Sequence, residues 1–270
     1  MPCPDRFGGR DEVDGSLHQL LLAVGSGSLI GCTLGLIGGG GSILATPLLI
    51  YVVGLHDVHT AIGTGALAVS VSAYLNLAGH AARGNVWWRC GFIFAIAGAL
   101  GAYLGSSIGK IIDGQKLLFM FGLLMLFISV VMGRAKSQTD LTAQSLTIGT
   151  HGKTGAIAVC TGLCSGIFGI GGGFLVVPGL LASTRMPLIN AVGTSLIAVG
   201  TFGLTTAANY AVSGLVDWRT AGYFIAGGVG GGAVGTMAAC RLATHRNSLA
   251  QIFRWVILTV GLYVLWRSLT

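Results

Sequence analysis

Charge is what this sequence most lacks. Asp, Glu, Lys and Arg make up only 9% of its 270 residues, against about 25% in a soluble domain, and mean hydropathy is +0.82. Water cannot solvate most of such a surface, so a soluble globular protein is excluded and the bilayer must supply the burial. No CxxC pair occurs among the six cysteines (Cys3, Cys32, Cys90, Cys160, Cys164, Cys240), and all but Cys3 lie in or beside apolar runs. They read as small buried hydrophobes rather than as disulfides or metal ligands. The first sixteen residues, MPCPDRFGGRDEVDGS, lack the basic stretch of a signal peptide, so the first apolar run is expected to be retained. Leu29-Ile30-Gly31-Cys32 has the form of a lipoprotein cleavage box, but Gly31 has a counterpart in the second half of the chain, and the box is set aside. The glycine clusters are followed by no Gly-Lys-Ser/Thr and preceded by no strand, which argues against a nucleotide-binding loop.

Apolar segments and glycine are what the chain does have. Segments run at about 17–37, 42–54, 58–81, 87–109 and 114–133, and again at 153–171, 174–184, 187–212, 218–240 and 248–269. Most approach the roughly 20 residues that cross a 30 Å hydrocarbon core. Most of the 46 glycines sit inside these runs at helical spacing, as in closely packed membrane helices. The formal charge of +7 comes from 15 Lys and Arg scattered singly between segments, which fits topology signals better than a nucleic-acid surface.

The chain is duplicated. A shift of 131 pairs Gly31, Gly35, Gly38, Gly40, Gly41, Leu44, Pro47 and Leu49 with Gly162, Gly166, Gly169, Gly171, Gly172, Leu175, Pro178 and Leu180. A shift of 130 then pairs Gly63-Thr64 with Gly193-Thr194 and Trp88-Arg89 with Trp218-Arg219. Biased composition explains scattered glycine matches but not proline, Trp-Arg and Gly-Thr recurring in order. The expected organisation is a tail at 1–16, a first transmembrane repeat at 17–133, a polar linker at 134–152 and a second repeat at 153–270. Five segments per unit make the second unit enter the membrane from the opposite side. The fold class is therefore an all-α polytopic membrane protein of two inverted repeats, each of about five helical segments, with a short broken helix after a Gly-rich turn in each. The count of basic residues puts Arg83, Arg89, Arg134, Lys136, Lys153, Arg185, Arg241 and Arg246 on the cytoplasmic face. Both termini are then periplasmic in a bacterial inner membrane.

The broken helices point to a site. Glycine exposes backbone where lipid forbids loose polar groups, so such a break must face protein or a cavity. Residues 42–54 rise only about 20 Å as a helix, which sinks Gly38–Gly41 toward the midplane, and the inverted copy does the same from the other side. Pro47 and Pro178 are expected in the first turns of the short helices, with Thr46 a capping candidate. Exposed N–H groups and the positive helix end there favour an anion. Gly38, Gly39, Gly40, Gly41, Ser42 and Thr46, with Gly169, Gly171, Gly172 and Gly173, are the substrate-binding candidates; tight helix crossing is the alternative use of these glycines, as expected at Gly101/Gly105 and Gly231/Gly235. Polar side chains within spans add Thr64, Asn76, Thr194, Ser195 and Asn209 as cavity candidates. His80, four residues from Asn76 and on its helix face, is a candidate for proton coupling or an interfacial histidine. Val86-Trp87-Trp88-Arg89 and Val216-Asp217-Trp218-Arg219 read as interfacial anchors opening a helix in each repeat.

Gly169-Ile170-Gly171-Gly172-Gly173-Phe174-Leu175-Val176-Val177-Pro178, then Ala191-Val192-Gly193-Thr194-Ser195 and Gly214-Leu215-Val216-Asp217-Trp218-Arg219, resembles the sulfite exporter TauE/SafE family over about residues 17–269. The first half departs from the pattern at Ser42, Thr46 and Gly65. The resemblance implies a secondary transporter of sulfite, an organosulfonate, thiosulfate or a related anion. A passive anion channel is the alternative within transport. An intramembrane serine protease built on Ser195 is poorly served, because the only later histidine is His245. Expected partners are the small anion and the lipid bilayer, with room for a homo-oligomer and none for nucleic acid. No cofactor, metal or enzymatic activity is expected.

Overall fold

The computed structural model describes residues 8–37, 39–134, 150–184, 186–241 and 246–269. Among them the chain forms ten α-helices and no strand: α1 Gly8–Ile37, α2 Ala45–Tyr51, α3 Val58–Ala81, α4 Trp88–Gly109, α5 Gly114–Arg134, α6 Thr150–Phe168, α7 Gly173–Thr184, α8 Leu188–Val212, α9 Trp218–Arg241 and α10 Arg246–Leu269. Four of them contain apolar stretches long enough to cross a membrane, Gln19–Leu36, Val58–Ala81, Trp88–Gly109 and Ile189–Val212. Outward positions on α4 repeat at i and i+4, with Ile96 and Leu100 at 68% and 66% exposure, the stripe that lipid covers in a multi-pass membrane protein.

Local chemistry sets the helix ends. Asp57 caps α3, accepting from the Thr60 N–H at 2.9 Å, and Asp217 accepts from the Arg219 N–H at 3.0 Å at the start of α9, as carboxylates do at helix N-termini. The connections after α3 and α8 each turn on a left-handed glycine, Gly84 (φ 71°) and Gly214 (φ 72°). Trp88 and Trp218 begin α4 and α9 and are largely exposed.

The two halves pack through reciprocal contacts. α1 lies along α9 and α6 along α4, each the first helix of one half against the fourth of the other. Gly27, Gly31 and Gly35 of α1 meet the backbone of Phe224, Gly228 and Gly232. In the other half, Gly162 and Gly166 of α6 meet the backbone of Gly98 and Ala102. An added Cβ at any of these would strike backbone, so the small residues set how closely these helices approach.

The central pair is α3 and α8, and it runs antiparallel. Gly63 lies against Tyr210, Gly203 against the Ala66 carbonyl and Gly193 against the His80 Cβ, while the Ser70 hydroxyl donates to the Gly200 carbonyl at 2.7 Å. Ser70 and Gly200 are equivalents at the 130-residue shift. Outside this pair, α5 packs on α10, with the Gln115 side chain donating to the Ser268 carbonyl at 3.1 Å and the Ser129 hydroxyl to the Arg254 carbonyl at 3.3 Å. These two equivalent helices are antiparallel as well.

The short helices fold back on their predecessors. Gly179 of α7 sits beside Ile157 of α6, and the Gln19 amide of α1 donates to the carbonyl of Val53, just past α2, at 3.0 Å. Each long–short pair is thus a hairpin that returns to its starting end, followed by three further helices. One end of the bundle holds Gln19, Asp57, Lys110 and Arg219; the other holds His80, Arg83 and Arg89.

The two breaks differ in conformation, and two expectations need correction. The first break is a right-handed 3₁₀ turn, Gly39–Leu44, leading straight into α2, whereas the second uses left-handed glycines. Pro178 is inside α7 rather than in its first turn, because that helix starts directly at Gly173. Thr46 does not cap α2: Leu44 holds the N-cap position with no side-chain bond. Helix α1 also begins at Gly8, upstream of the expected segment, and Gly38 lies outside the described residues.

Candidate functional site

The second glycine break is held by conformation that only glycine adopts readily. Gly169, Gly171 and Gly172 have φ of 64°, 66° and 67°, which let α6 stop and α7 reverse within four residues. At Gly171 an added Cβ would lie 3.1 Å from Val69 and 3.2 Å from Val199. These valines are repeat equivalents and sit near the middles of α3 and α8, so this turn reaches the centre of the antiparallel pair. Gly172 lies against Ser165 (2.8 Å to its Cβ) and Phe202 (3.2 Å).

The first break approaches from the other half, and its 3₁₀ turn packs on α7. Gly39, Gly40, Gly41 and Ser42 belong to this turn. Gly41 is packed against Thr33 and the Leu34 N–H, and Ser42 is 1% exposed. Thr46, in α2, is 2% exposed, and its hydroxyl has no hydrogen-bond partner. Ser165 Oγ, fully buried beside Gly172, has none either. The first break thus packs on the helix that leaves the second, and the buried hydroxyls of Thr46 and Ser165 have hydrogen-bonding capacity that is unused, the donor chemistry that a small anion needs.

The remaining candidates divide. Thr64 and Thr194 hold the repeats together: the Asp217 N–H donates to Thr64 Oγ1 at 2.9 Å, and the Trp87 N–H to Thr194 Oγ1 at 3.0 Å. These are one contact made twice, each tying the start of α9 or α4 to the other half. Ser195 donates back to Val192 O at 2.8 Å, as hydroxyls in membrane helices commonly do. Asn76 donates to Ser72 O at 3.0 Å and covers Gly232 of α9. His80 is 3% exposed one turn further on, buried rather than at a surface. Gly173 opens α7.

Asn209 belongs to a separate cluster at the Lys110 end. Its amide donates to Ser106 Oγ at 2.6 Å and Ser107 Oγ at 3.0 Å, while Lys110 Nζ donates to its Oδ1 at 2.8 Å and its carbonyl at 3.2 Å. Lys110 also reaches Ser213 Oγ at 3.0 Å and lies 5.9 Å from the Tyr210 ring centre, with His59 stacked on that ring at 6.4 Å. Nearby, Asp57 feels burial, which disfavours its charge, but the Thr60 hydroxyl and the N–H groups of Thr60 and His59 hold its carboxyl below the ordinary value.

The family model of the sulfite exporter TauE/SafE proteins matches residues 23–264. The chain belongs to the TauE/SafE family. As a TauE/SafE protein it is a membrane transporter rather than an enzyme, and its relatives carry names in that sense. A probable membrane transporter protein of Xylella fastidiosa is 54% identical over 254 residues, covering 94% of this chain and 97% of that protein. The probable membrane transporter protein YunE of Bacillus subtilis is 27% identical over 272 residues, covering 93% and 99%. One from Haemophilus influenzae is 28% identical over 202 residues, covering 72% and 75%. No solved structure matches the chain.

Sequence reasoning passed over Ser165, Thr206 and Lys110. Ser165 and Thr206 sit in apolar runs, where a lone hydroxyl reads as bonding to its own helix. The repeat shift carried a signal, since it aligns Thr206 with Asn76 and Tyr210 with His80.

Proposed function

We propose that this TauE/SafE transporter is a secondary exporter of a small sulfur-containing anion, sulfite or an organosulfonate, working by alternating access across a bacterial inner membrane. One observation carries the reading: the second helix break reaches the middle of α3 and α8, where Gly171 lies between the equivalent residues Val69 and Val199, and the first break packs on α7, the helix that follows the second. Substrate sites of inverted-repeat transporters lie at such a place, and antiparallel α3 and α8 support an inverted arrangement here. Gly171 and Gly172, with Ser165 and Thr46, form the binding region in this proposal, and Gly38–Gly41 contribute from the first half. The sulfur substrate class follows the description of the matching family, and hydroxyl donors without an acidic partner suit an oxyanion. The Thr64 and Thr194 hydroxyls, already accepting backbone N–H groups, serve the framework.

Purified protein in liposomes tests this. Uptake of 35S-sulfite should saturate and show counterflow driven by unlabelled sulfite or a sulfonate, while formate competes poorly. Flux that rises linearly with concentration and shows no counterflow overturns the carrier reading. Counterflow with carboxylates but not with sulfur anions overturns the substrate class.

A further inference from the structure

Three buried hydroxyls lie between the Gly171–Gly172 turn and the Lys110 end, and none has a partner. Ser165, Thr206 and Tyr210 are each 0% exposed with an unpaired oxygen. This is unusual for their surroundings. Thr201 and Thr205 of the same helix α8 bond back to Ile197 O and Thr201 O at 2.8 Å, and Thr161 of α6 bonds to Ile157 O at 2.8 Å. Leaving a buried hydroxyl unsatisfied is costly, so three in one region call for a task in which they are satisfied.

Phe202, Thr206 and Tyr210 follow at four-residue spacing and share a face of α8. Phe202 touches Gly172, and Ser165 lies on the other side of the same glycine. At the far end the Tyr210 hydroxyl would be 3.2 Å from a Cβ at Gly109, beside Ile167 of α6, under Lys110 and His59. At that mouth Lys110 donates to the neutral Asn209 and Ser213, and the Asp57 carboxylate accepts from Thr60 and His59.

The repeat supplies an independent observation. At the 130-residue shift Phe202, Thr206 and Tyr210 correspond to Ser72, Asn76 and His80, which share a face of α3 and are 3%, 4% and 3% exposed. Because α3 and α8 are antiparallel, the α3 face runs from the same centre toward the opposite, Arg83 end. Both faces pack on glycine: Ser72 and Asn76 on Gly228 and Gly232 of α9, Phe202 on Gly98 of α4. Smooth glycine walls opposite polar stripes let the helices separate without losing interlocked side chains.

We infer that Ser165, Thr206 and Tyr210 on one side, and Asn76 and His80 on the other, line two equivalent half-paths that lead a small oxyanion from the glycine turn to the two ends of the bundle. This rests on the transport reading above and extends it to the route.

The test uses single cysteines in the otherwise native chain, exposed in sealed proteoliposomes to a membrane-impermeant, sulfonate-bearing methanethiosulfonate reagent and read at each position by mass spectrometry. Thr206→Cys should react only from the Lys110 side and Asn76→Cys only from the Arg83 side, while lipid-facing Leu204→Cys stays unmodified. In parallel, Thr206→Val and Tyr210→Phe, which remove unpartnered hydroxyls, should fold with undiminished thermal stability yet lower kcat/KM for 35S-sulfite by about ten-fold or more. Thr205→Val should transport normally. Absence of reaction at both cysteines from both sides, or wild-type transport by both hydroxyl variants, overturns the route. If the wild-type chain moves neither sulfite nor thiosulfate, the sulfur-anion reading fails by itself; side-specific labelling then still upholds the two paths, and its absence still refutes them.

Discussion

Thr194→Val is the sharpest perturbation of the framework. Thr194 is fully buried, and its Oγ1 accepts the Trp87 N–H at 3.0 Å, just where α4 begins without any side-chain cap. Valine has the same shape, so it opens no cavity and keeps the methyl packed 3.2 Å from the Cβ position of Gly91. The loss is confined to one acceptor, and a donor stranded away from water costs about 1–3 kcal/mol. At about 2–4 °C per kcal/mol for a chain of this size, the unfolding midpoint should fall by roughly 2–12 °C. Thr64→Val, which strands the Asp217 N–H, should match it, because the two contacts are one interaction repeated. Thermal unfolding in detergent measures the loss, and a sulfite titration followed by the same signal measures binding. The framework reasoning requires lower stability with sulfite affinity retained in the protein that remains folded. A Thr194→Val chain that unfolds at the wild-type temperature but no longer binds sulfite would refute it and return the hydroxyl to the substrate.

Three other outcomes are expected. Gly101→Val and Gly231→Val place a side chain against the carbonyls of Val159 and Ser28 and should each destabilise by about 3 kcal/mol or more, seen as loss of folded yield on size-exclusion chromatography. Cysteines at Arg89 and Arg219 should be labelled from opposite sides of sealed vesicles, and labelling of both from one side contradicts antiparallel halves. Asp57→Ala should cost about 1 kcal/mol as a lost N-cap. Since the folded carboxyl is held below its ordinary value, this contribution is present above the unfolded-state pKa and fades as pH falls through the folded one. Wild-type and variant melting temperatures should therefore converge in acid.

The fold was legible because its signals are redundant. Segment length, the repeat shift and the Trp-Arg helix starts all agree, and α4 and α9 begin at Trp88 and Trp218. What failed was local. Pro178 reads as a first-turn proline but is the sixth residue of α7, and Thr46 reads as a cap only if its helix starts late, whereas α2 already begins at Ala45. Gly40 and Gly41 stand in a 3₁₀ turn in the first half, whereas their equivalents Gly171 and Gly172 are left-handed, a difference that identical residues do not announce. The site was less legible than the fold. A hydroxyl such as Thr194 is polar and intramembrane whether it serves a ligand or a backbone N–H 107 residues away, and only the packing distinguishes the two.

The same ambiguity explains why 46 glycines resist reading by count. In lipid, helix association depends on close packing rather than on a hydrophobic drive, so the seams α1–α9 and α4–α6 need glycine at every close crossing. Gly27, Gly31 and Gly35 against α9, and Gly98, Gly101 and Gly105 against α6, serve that need and keep ordinary helical φ. Gly169, Gly171 and Gly172 differ in sign of φ, and it is the chain reversal, not the crossing, that demands glycine there. A valine at a seam fails through contact with a neighbouring backbone, while one at the reversal fails first in its own backbone. Alanine separates the two cases: at a reversal it still carries a left-handed penalty of about 1–2 kcal/mol, whatever space surrounds it, whereas at a seam its cost depends on how far the facing helix can move away. A set of alanine substitutions across both groups should therefore show a floor of about 1–2 kcal/mol at the three reversal positions, exceeded where the added Cβ also meets a neighbour, as at Gly169 against Ile62, and scattered losses with no such floor along the seams.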